Sequence, residues 1–365
     1  MSIVVAIFGG ALFLALIGTP AIRRLAFRLN LISVPRADRA HHEPTAMMGG
    51  VAIYLGATVA LLLGGVVASI WFQNWKNLSE LAGILAGATV MGAVGLWDDR
   101  VRLKPLPKLL AQAVAVALPI LTGVYIQLPV PLPLNIILTV IWVLYVTNGI
   151  NFSDNMDGLA GGISAVAAAF FTLIAAMNGQ YLVSALAAAV TGACLGFLRY
   201  NLPLPRAQIF MGDAGALFLG LVLANLGIKL RFPDNVHFVT WMVPVLVLGV
   251  PLFDTTMVFI SRFRRNVSLM KGGIDHTSHR LARLGLGKLG ATLALDLLGC
   301  AFGMIAIMVM QANVFEGYLI GVSTFLVCCY LLWNLDWRLH PTLRVGEVAQ
   351  ETAQKENPGS PTLKP

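Results

Sequence analysis

The stretch NGINFSDNMDGLAGG, residues 148–162, sets two asparagines, Asn148 and Asn151, and two aspartates, Asp154 and Asp157, between apolar runs about a helix long. A carboxylate at the centre of a bilayer costs roughly 2.5–3.5 kcal/mol. Two of them this close belong either to a polar turn at a membrane surface or to a site that uses them. Three residues apart, Asp154 and Asp157 would share a face if the segment were helical. The glycines that follow, Gly158, Gly161 and Gly162, permit close backbone approach.

Outward from this stretch the composition is that of a membrane protein. Hydrophobic residues make up 58% of the chain and charged residues only 12%, whereas a soluble domain carries about 25% charged residues. The apolar runs recur at helix-plus-loop spacing, and each span needs about 20 residues. The predicted fold is an all-α polytopic membrane protein with about eleven transmembrane helices, near 2–20, 47–70, 78–97, 107–122, 134–147, 157–177, 181–199, 214–230, 238–260, 289–311 and 316–334. Pro119 interrupts the fourth and the fifth is short. In the ninth, Pro244, Gly249 and Pro251 predict a kink or break. A broken span is tolerated where it lines protein or a cavity, and a groove for a long lipid tail is one use. Residues 1–336 read as one integral-membrane domain, and 337–365, polar and proline-bearing, as a disordered tail. No internal repeat of the kind that marks many transporters is visible.

The net charge of +8 is a matter of topology rather than of a nucleic-acid partner. Of the 25 lysines and arginines, all but Lys76, Lys229 and Arg231 fall on alternate connections or in the tail. Positive charge collects on the cytoplasmic side. The N-terminus is therefore expected outside and the C-terminus in the cytoplasm. The first apolar run starts at Ser2 without a positive leader, which reads as a first helix inserted N-terminus outward rather than as a cleaved signal. Cys194, Cys300, Cys328 and Cys329 lie in apolar runs and are expected to be inert thiols.

Four further loops carry polar clusters. Arg39, His41 and His42 precede the Gly49–Gly50 pair and could bind an anion, or simply obey the charge rule. Asp98 and Asp99 stand at the end of the third helix with Lys108 beyond them. Adjacent carboxylates in a confined site need a metal, a cation or a shared proton, whereas a solvated helix end needs none. Arg199, Asn201 and Arg206 lead to Asp213, bracketed by Gly212 and Gly215 at the mouth of the eighth helix. Asp213 can cap that helix or present an oxygen to Mg²⁺, which takes few protein carboxylates alongside waters and substrate phosphates. In the longest loop, His276, His279 and Arg280 suit a diphosphate or nucleotide. Asp254 and Asp296 would lie within spans, and neither is assigned a direct role.

By the parity of eleven spans, all five clusters face the cytoplasm. Independent polar turns would not segregate in this way. A shared site in cytoplasmic loops, with carboxylates, amides, histidines and cations, points to Mg²⁺-dependent chemistry on phosphates at the membrane surface.

Asp-x-x-Asp-Gly is a fragment of the CDP-alcohol phosphotransferase motif, but Leu159–Ala160–Gly161 does not continue it. The chain instead resembles the polyprenyl-phosphate N-acetylhexosamine-1-phosphate transferases over about residues 30–285, with the motifs in that family's order. They are Arg-x-His…Pro…Gly-Gly (39–50), Gly-Leu-Trp-Asp-Asp with Lys108, Asn-x-x-Asn-x-x-Asp-x-x-Asp-Gly-Leu-Ala (148–160), Arg-Tyr-Asn…Phe-Met-Gly-Asp (199–213), Pro-Leu-Phe-Asp-Thr (251–255) and the loop ending His279–Arg280–Leu281.

The resemblance implies transfer of a sugar 1-phosphate, N-acetylglucosamine 1-phosphate by preference, from a UDP-sugar to undecaprenyl phosphate with release of UMP. This would be the first membrane step of a cell-envelope polymer, at the bacterial cytoplasmic membrane. It implies Mg²⁺, or Mn²⁺ in its place, held by Asp213 with Asn151. One of Asp98 and Asp99 would take the proton of the lipid phosphate, and Asp154 and Asp157 would stand near nucleotide and metal. Arg39, His41, Lys108, Asn148, Asn201, His276, His279 and Arg280 would contact substrates. The partners so implied are undecaprenyl phosphate, a UDP-N-acetylhexosamine and membrane lipids, with a homodimer as a further option and no nucleic acid. Transfer in one step or through a phospho-aspartate is left open. Ser278 stands where a further histidine is common, and Arg39 where a lysine is. The His-Arg-Leu ending favours a simple UDP-N-acetylhexosamine over the muramoyl-pentapeptide donor of the related phospho-N-acetylmuramoyl-pentapeptide transferases. A non-enzymatic lipid or sugar transporter is the alternative of a different class.

Overall fold

The computed structural model describes residues 2–33, 44–72, 78–204, 206–233, 235, 237–268, 273 and 275–339. Arg39, His41 and the chain beyond 339 lie outside the described residues. In a bilayer, backbone polar groups must be satisfied internally, so apolar runs become helices. They run α1 (Ser2–Arg28), α2 (Gly49–Phe72), α3 (Leu78–Val101), α4 (Pro105–Leu121), α5 (Leu132–Ser153), α6 (Leu159–Met177), α7 (Tyr181–Asn201), α8 (Gly212–Lys229), α9 (His237–Thr240), α10 (Met242–Val247), α11 (Gly249–Arg264), α12 (Thr277–Leu281), α13 (Gly287–Gln311) and α14 (Val314–Trp333). Each of the eleven predicted helices has a counterpart. Among the described residues, nine helices are long and apolar enough to cross a membrane, or ten if α9–α10 and α11, bent by 79°, form one span. The bend falls where Pro244, Gly249 and Pro251 remove or weaken backbone bonding. At 17 residues, α4 is shorter than a standard span.

The centre of the bundle is α8, with 89% of its apolar window buried; at the edge, none of the α14 window is. Lipid tails are as apolar as leucine, so the helices gain by close packing of small residues rather than by hydrophobic exclusion. At Gly50, an added Cβ would lie 2.0 Å from the Gly215 nitrogen, so α2 and α8 cross backbone to backbone there. The α3–α8 pair is pinned at both ends. At one end Glu80 pairs with Lys229. At the other the Asp99 carboxylate accepts the Asp213 N–H at 2.9 Å and the Ala214 N–H at 3.3 Å.

Two short strands, β1 (Ile32–Ser33) and β2 (Thr45–Ala46), pair antiparallel. β2 bridges to Ile209, while Gly49 and Gly50 donate backbone bonds to Phe210 and Met211. The first connection is thereby fastened beside the start of α8.

Two local expectations are corrected. α5 runs on to Ser153, so Asn148 and Asn151 are helical rather than in a loop. α6 begins only at Leu159, after Gly158 in a left-handed conformation (φ +81°). Asp154 and Asp157 therefore lie on a turn, not on one helical face.

Candidate active site

At one end of the bundle, the last turns of α3 and α5, the first turns of α4 and α8, and the 154–158 turn converge. Lys108 is at their centre. Its ammonium donates to Asp98 Oδ2 at 2.8 Å, to Asn151 Oδ1 at 3.3 Å and to Asp213 Oδ2. Asn151 Nδ2 in turn donates to Asp213 Oδ1 at 2.9 Å. Asp98, Lys108, Asn151 and Asp213, read from three distant stretches, thus form one connected cluster.

The adjacent aspartates have different tasks. Asp98 faces Lys108 and also accepts the Leu103 N–H at 2.6 Å. Asp99 caps α8 from another helix, a contact typically worth about 1 kcal/mol. Asp213 makes no cap of its own, so its carboxylate is free of that duty. Gly212 before it has φ +74°, and a Cβ there would meet Asp99 Oδ2 at 2.7 Å, so the tight entry to α8 requires glycine.

Asp154 lies partly buried in the turn and accepts the Gly212 N–H. Burial, and then repulsion from Asp213, Asp99 and Asp157, push its carboxyl up to about 8. Between its ordinary value of 3.8 and about 8, the folded chain keeps this proton while the unfolded chain loses it, so stability falls as pH rises across that window. An Asp154→Asn variant escapes the loss. In EDTA, its melting temperature relative to the parent is expected to climb from pH 5 to pH 8; parallel curves would refute the protonated state.

Asp157 adds its charge to this group, and its backbone oxygen accepts from Thr292 Oγ1 of α13 at 3.4 Å. Among the described residues no three His, Cys, Asp or Glu side chains form a ready-made metal cage. Even with Asp154 protonated, Asp98, Asp99, Asp157 and Asp213 outnumber the single lysine of this group and leave an excess of negative charge. That excess fits a hard divalent ion, which needs one or two protein carboxylates and completes its shell with water and substrate phosphate.

The histidine loop packs beside this cluster. His276 Nδ1 lies 2.8 Å from Asp254 Oδ2, and Asp254 Oδ1 accepts the Thr277 N–H at 2.6 Å. With Nδ1 held by the carboxylate, Nε2 is left for another partner. His279 is half-buried, its ring 6.3 Å from that of His276. Ser278 Oγ donates to Asn155 Oδ1 at 2.6 Å, which joins the loop to the aspartate turn.

Three of the expected substrate contacts have side chains that also bond within the protein. Asn148 exchanges amide bonds with Gln112 at 2.8 and 3.3 Å and tethers α5 to α4. Asn201 accepts the Gly158 N–H and donates to Ile209 O, both at 2.9 Å, tying the turn to the α7–α8 loop. Arg280 is 1% exposed and donates to Asp275 O, Leu335 O, Asp336 and Ser261.

The sequence reading missed Asp254, Asn155 and Gln112. For Asp254 the signal was present, as a carboxylate inside a span. Gln112 is a lone amide one turn after Lys108. An apolar cavity of ≈ 530 Å³ lies between the bent span and α14, lined by Trp241, Leu252, Phe253, Phe302, Phe325 and Leu332 among others.

Residues 81–231 match the family model described as glycosyl transferase family 4. A Bacillus subtilis protein named probable undecaprenyl-phosphate N-acetylglucosaminyl 1-phosphate transferase is 30% identical over 320 residues, covering 85% of this chain and 86% of that protein. The Mycobacterium tuberculosis decaprenyl-phosphate N-acetylglucosaminephosphotransferase is 31% identical over 73% of this chain and 72% of its own. A Clostridium botulinum phospho-N-acetylmuramoyl-pentapeptide-transferase is 28% identical over 69% of this chain and 78% of its own.

Proposed function

This chain belongs to the polyprenyl-phosphate N-acetylhexosamine-1-phosphate transferases of glycosyl transferase family 4, and we propose that it transfers N-acetylglucosamine 1-phosphate from UDP-N-acetylglucosamine to undecaprenyl phosphate. The observation that carries this reading is the Asp98–Lys108–Asn151–Asp213 cluster at one end of an apolar bundle, where a lipid-borne and a soluble phosphate can meet. The transporter alternative falls with the family, and the polar groups gather at that end rather than along the span.

Asp98 takes the proton of the lipid phosphate at Oδ2, and Lys108 lowers the energy of the resulting charge. A lipid phosphate oxygen then attacks the sugar-bearing β-phosphorus in line. The bond from that phosphorus to the bridging oxygen breaks, and UMP leaves with the oxygen. Asp213 with Asn151 would hold Mg²⁺, and Mg²⁺ bound there would polarise the phosphoryl oxygens and neutralise the leaving phosphate. Asp99 positions Asp213 through the helix backbone. Asp154 and Asp157 border the nucleotide, and His276 and His279 donate to its diphosphate. The apolar cavity beside α11 accommodates part of the polyprenyl tail. The charge asymmetry supports an active site on the cytoplasmic face of a bacterial cytoplasmic membrane, with the N-terminus outside.

The N-acetylglucosamine donor is preferred to the muramoyl pentapeptide because relatives named for the former align over more of this chain, 85% against 69%. Purified protein with Mg²⁺ and undecaprenyl phosphate is expected to release UMP from UDP-N-acetylglucosamine at least about a hundredfold faster than from the pentapeptide donor, the scale on which a pocket discriminates by shape alone. The reverse preference, scored by lipid-product mass, would assign the chain to the other branch.

A further inference from the structure

Although none of the α14 apolar window is buried, Asp336, just beyond its last turn, is 0% exposed. A carboxylate taken out of water needs partners. Two arginines are among them: Asp336 accepts from Arg280 Nη1 at 2.9 Å and from Arg264 Nη2 at 2.8 Å and Nε at 3.1 Å. The wide π-helical turn Asn334–Leu339 also offers backbone oxygens, Leu335 O to Arg280 at 2.7 Å and Asp336 O to Arg264 at 3.2 Å. Arg264 lies 4.6 Å over the Trp337 ring, which stacks on Trp333 at 5.0 Å.

Arg280 follows His279 directly, and its other donors reach Ser261 Oγ at 3.0 Å and Asp275 O at 2.9 Å. The Asp275 carboxylate is gripped in turn by Arg265 at 2.7 Å and Arg262 at 3.4 Å. Residues 275–281 are therefore fixed on one side by the end of α11 and on the other by Asp336. Without Asp336, Arg280 would be a buried cation lacking its carboxylate, and its escape toward water would carry the histidines with it.

The geometry points to Asp336 as a positioning residue: the turn after α14 is a latch that sets the pose of His276 and His279, and so the affinity for the donor diphosphate. This rests on the functional reading above, in which those histidines meet the donor. The latch acts first on the donor side: α14 walls the cavity given to the lipid tail, but Arg264 and Arg280, which bond to Asp336, line neither that cavity nor the Asp98–Lys108–Asp213 cluster.

The test uses the full chain in detergent, as Asp336→Ala, Asp336→Asn and Asp336→Glu. Hydrogen exchange is followed over residues 275–286, together with separate KM values for UDP-N-acetylglucosamine and undecaprenyl phosphate. In Asp336→Ala, exchange in that segment and the donor KM are each expected to rise about tenfold, the scale of one lost charge-assisted contact. The acceptor KM and kcat should stay within about twofold. Glutamate should recover most of the effect, and asparagine part of it. Unchanged exchange, or donor and acceptor KM rising together, would overturn the latch. If the alanine variant does not fold, Arg264→Gln weakens the same carboxylate from the exposed side. Should the parent release no UMP from any UDP-sugar, the functional reading fails, while the exchange comparison still decides whether the latch exists.

Discussion

Replacing Asp213 by alanine is expected to lower UMP release on the order of a thousandfold, the cost of losing a preorganised charge stabiliser at a phosphoryl centre. The variant should still fold. The backbone N–H groups at the start of α8 are capped by Asp99, not by the Asp213 side chain, so truncation leaves the helix end satisfied. What is lost is the carboxylate facing Lys108 and Asn151. Asp213→Asn keeps the shape but not the charge, and it should be nearly as inactive. Melting temperatures near the parent's would show the loss to be chemical. Activity within about tenfold of the parent would end the assignment of Asp213 as a metal ligand.

Lys108→Met carries the second-largest expected effect, a fall of about a hundredfold in kcat/KM. The ammonium holds Asp98, Asn151 and Asp213 together, and methionine retains the stem while removing the charge. The signature that separates this variant from Asp213→Ala is its response to divalent ions. With the internal cation gone, the carboxylates are left less compensated. Mg²⁺ should therefore raise the melting temperature of Lys108→Met more than that of the parent, by mass action on a site with less competition. A smaller shift than the parent's, or an unchanged kcat/KM, would mean that Lys108 does not share a site with the ion.

Most of the architecture was legible because membrane helices announce themselves. Apolar length fixes their existence, and Pro244, Gly249 and Pro251 marked the bent span. The ends of helices were harder to read. α5 continues through Asn148 and Asn151, since polar residues need not stop a helix when neighbours such as Gln112 and Lys108 satisfy their side chains. Asp154 and Asp157 looked like one helical face, yet a left-handed Gly158 places them on a turn.

What the sequence by itself determined is the chemistry available and the apolar runs between which it lies, because residue type and hydropathy are local properties. The tertiary structure alone decided which of those groups meet and which are taken up by contacts within the fold. Asp98 and Asp99 are neighbours in the chain, but only packing against α8 turns one into a cap and leaves the other on the lysine. Arg280 had the composition of a phosphate ligand, and Asp336 lay just past the last predicted span, at the edge of the membrane domain. Burial made them partners, since a charge removed from water must find its counter-charge wherever the fold brings one within reach.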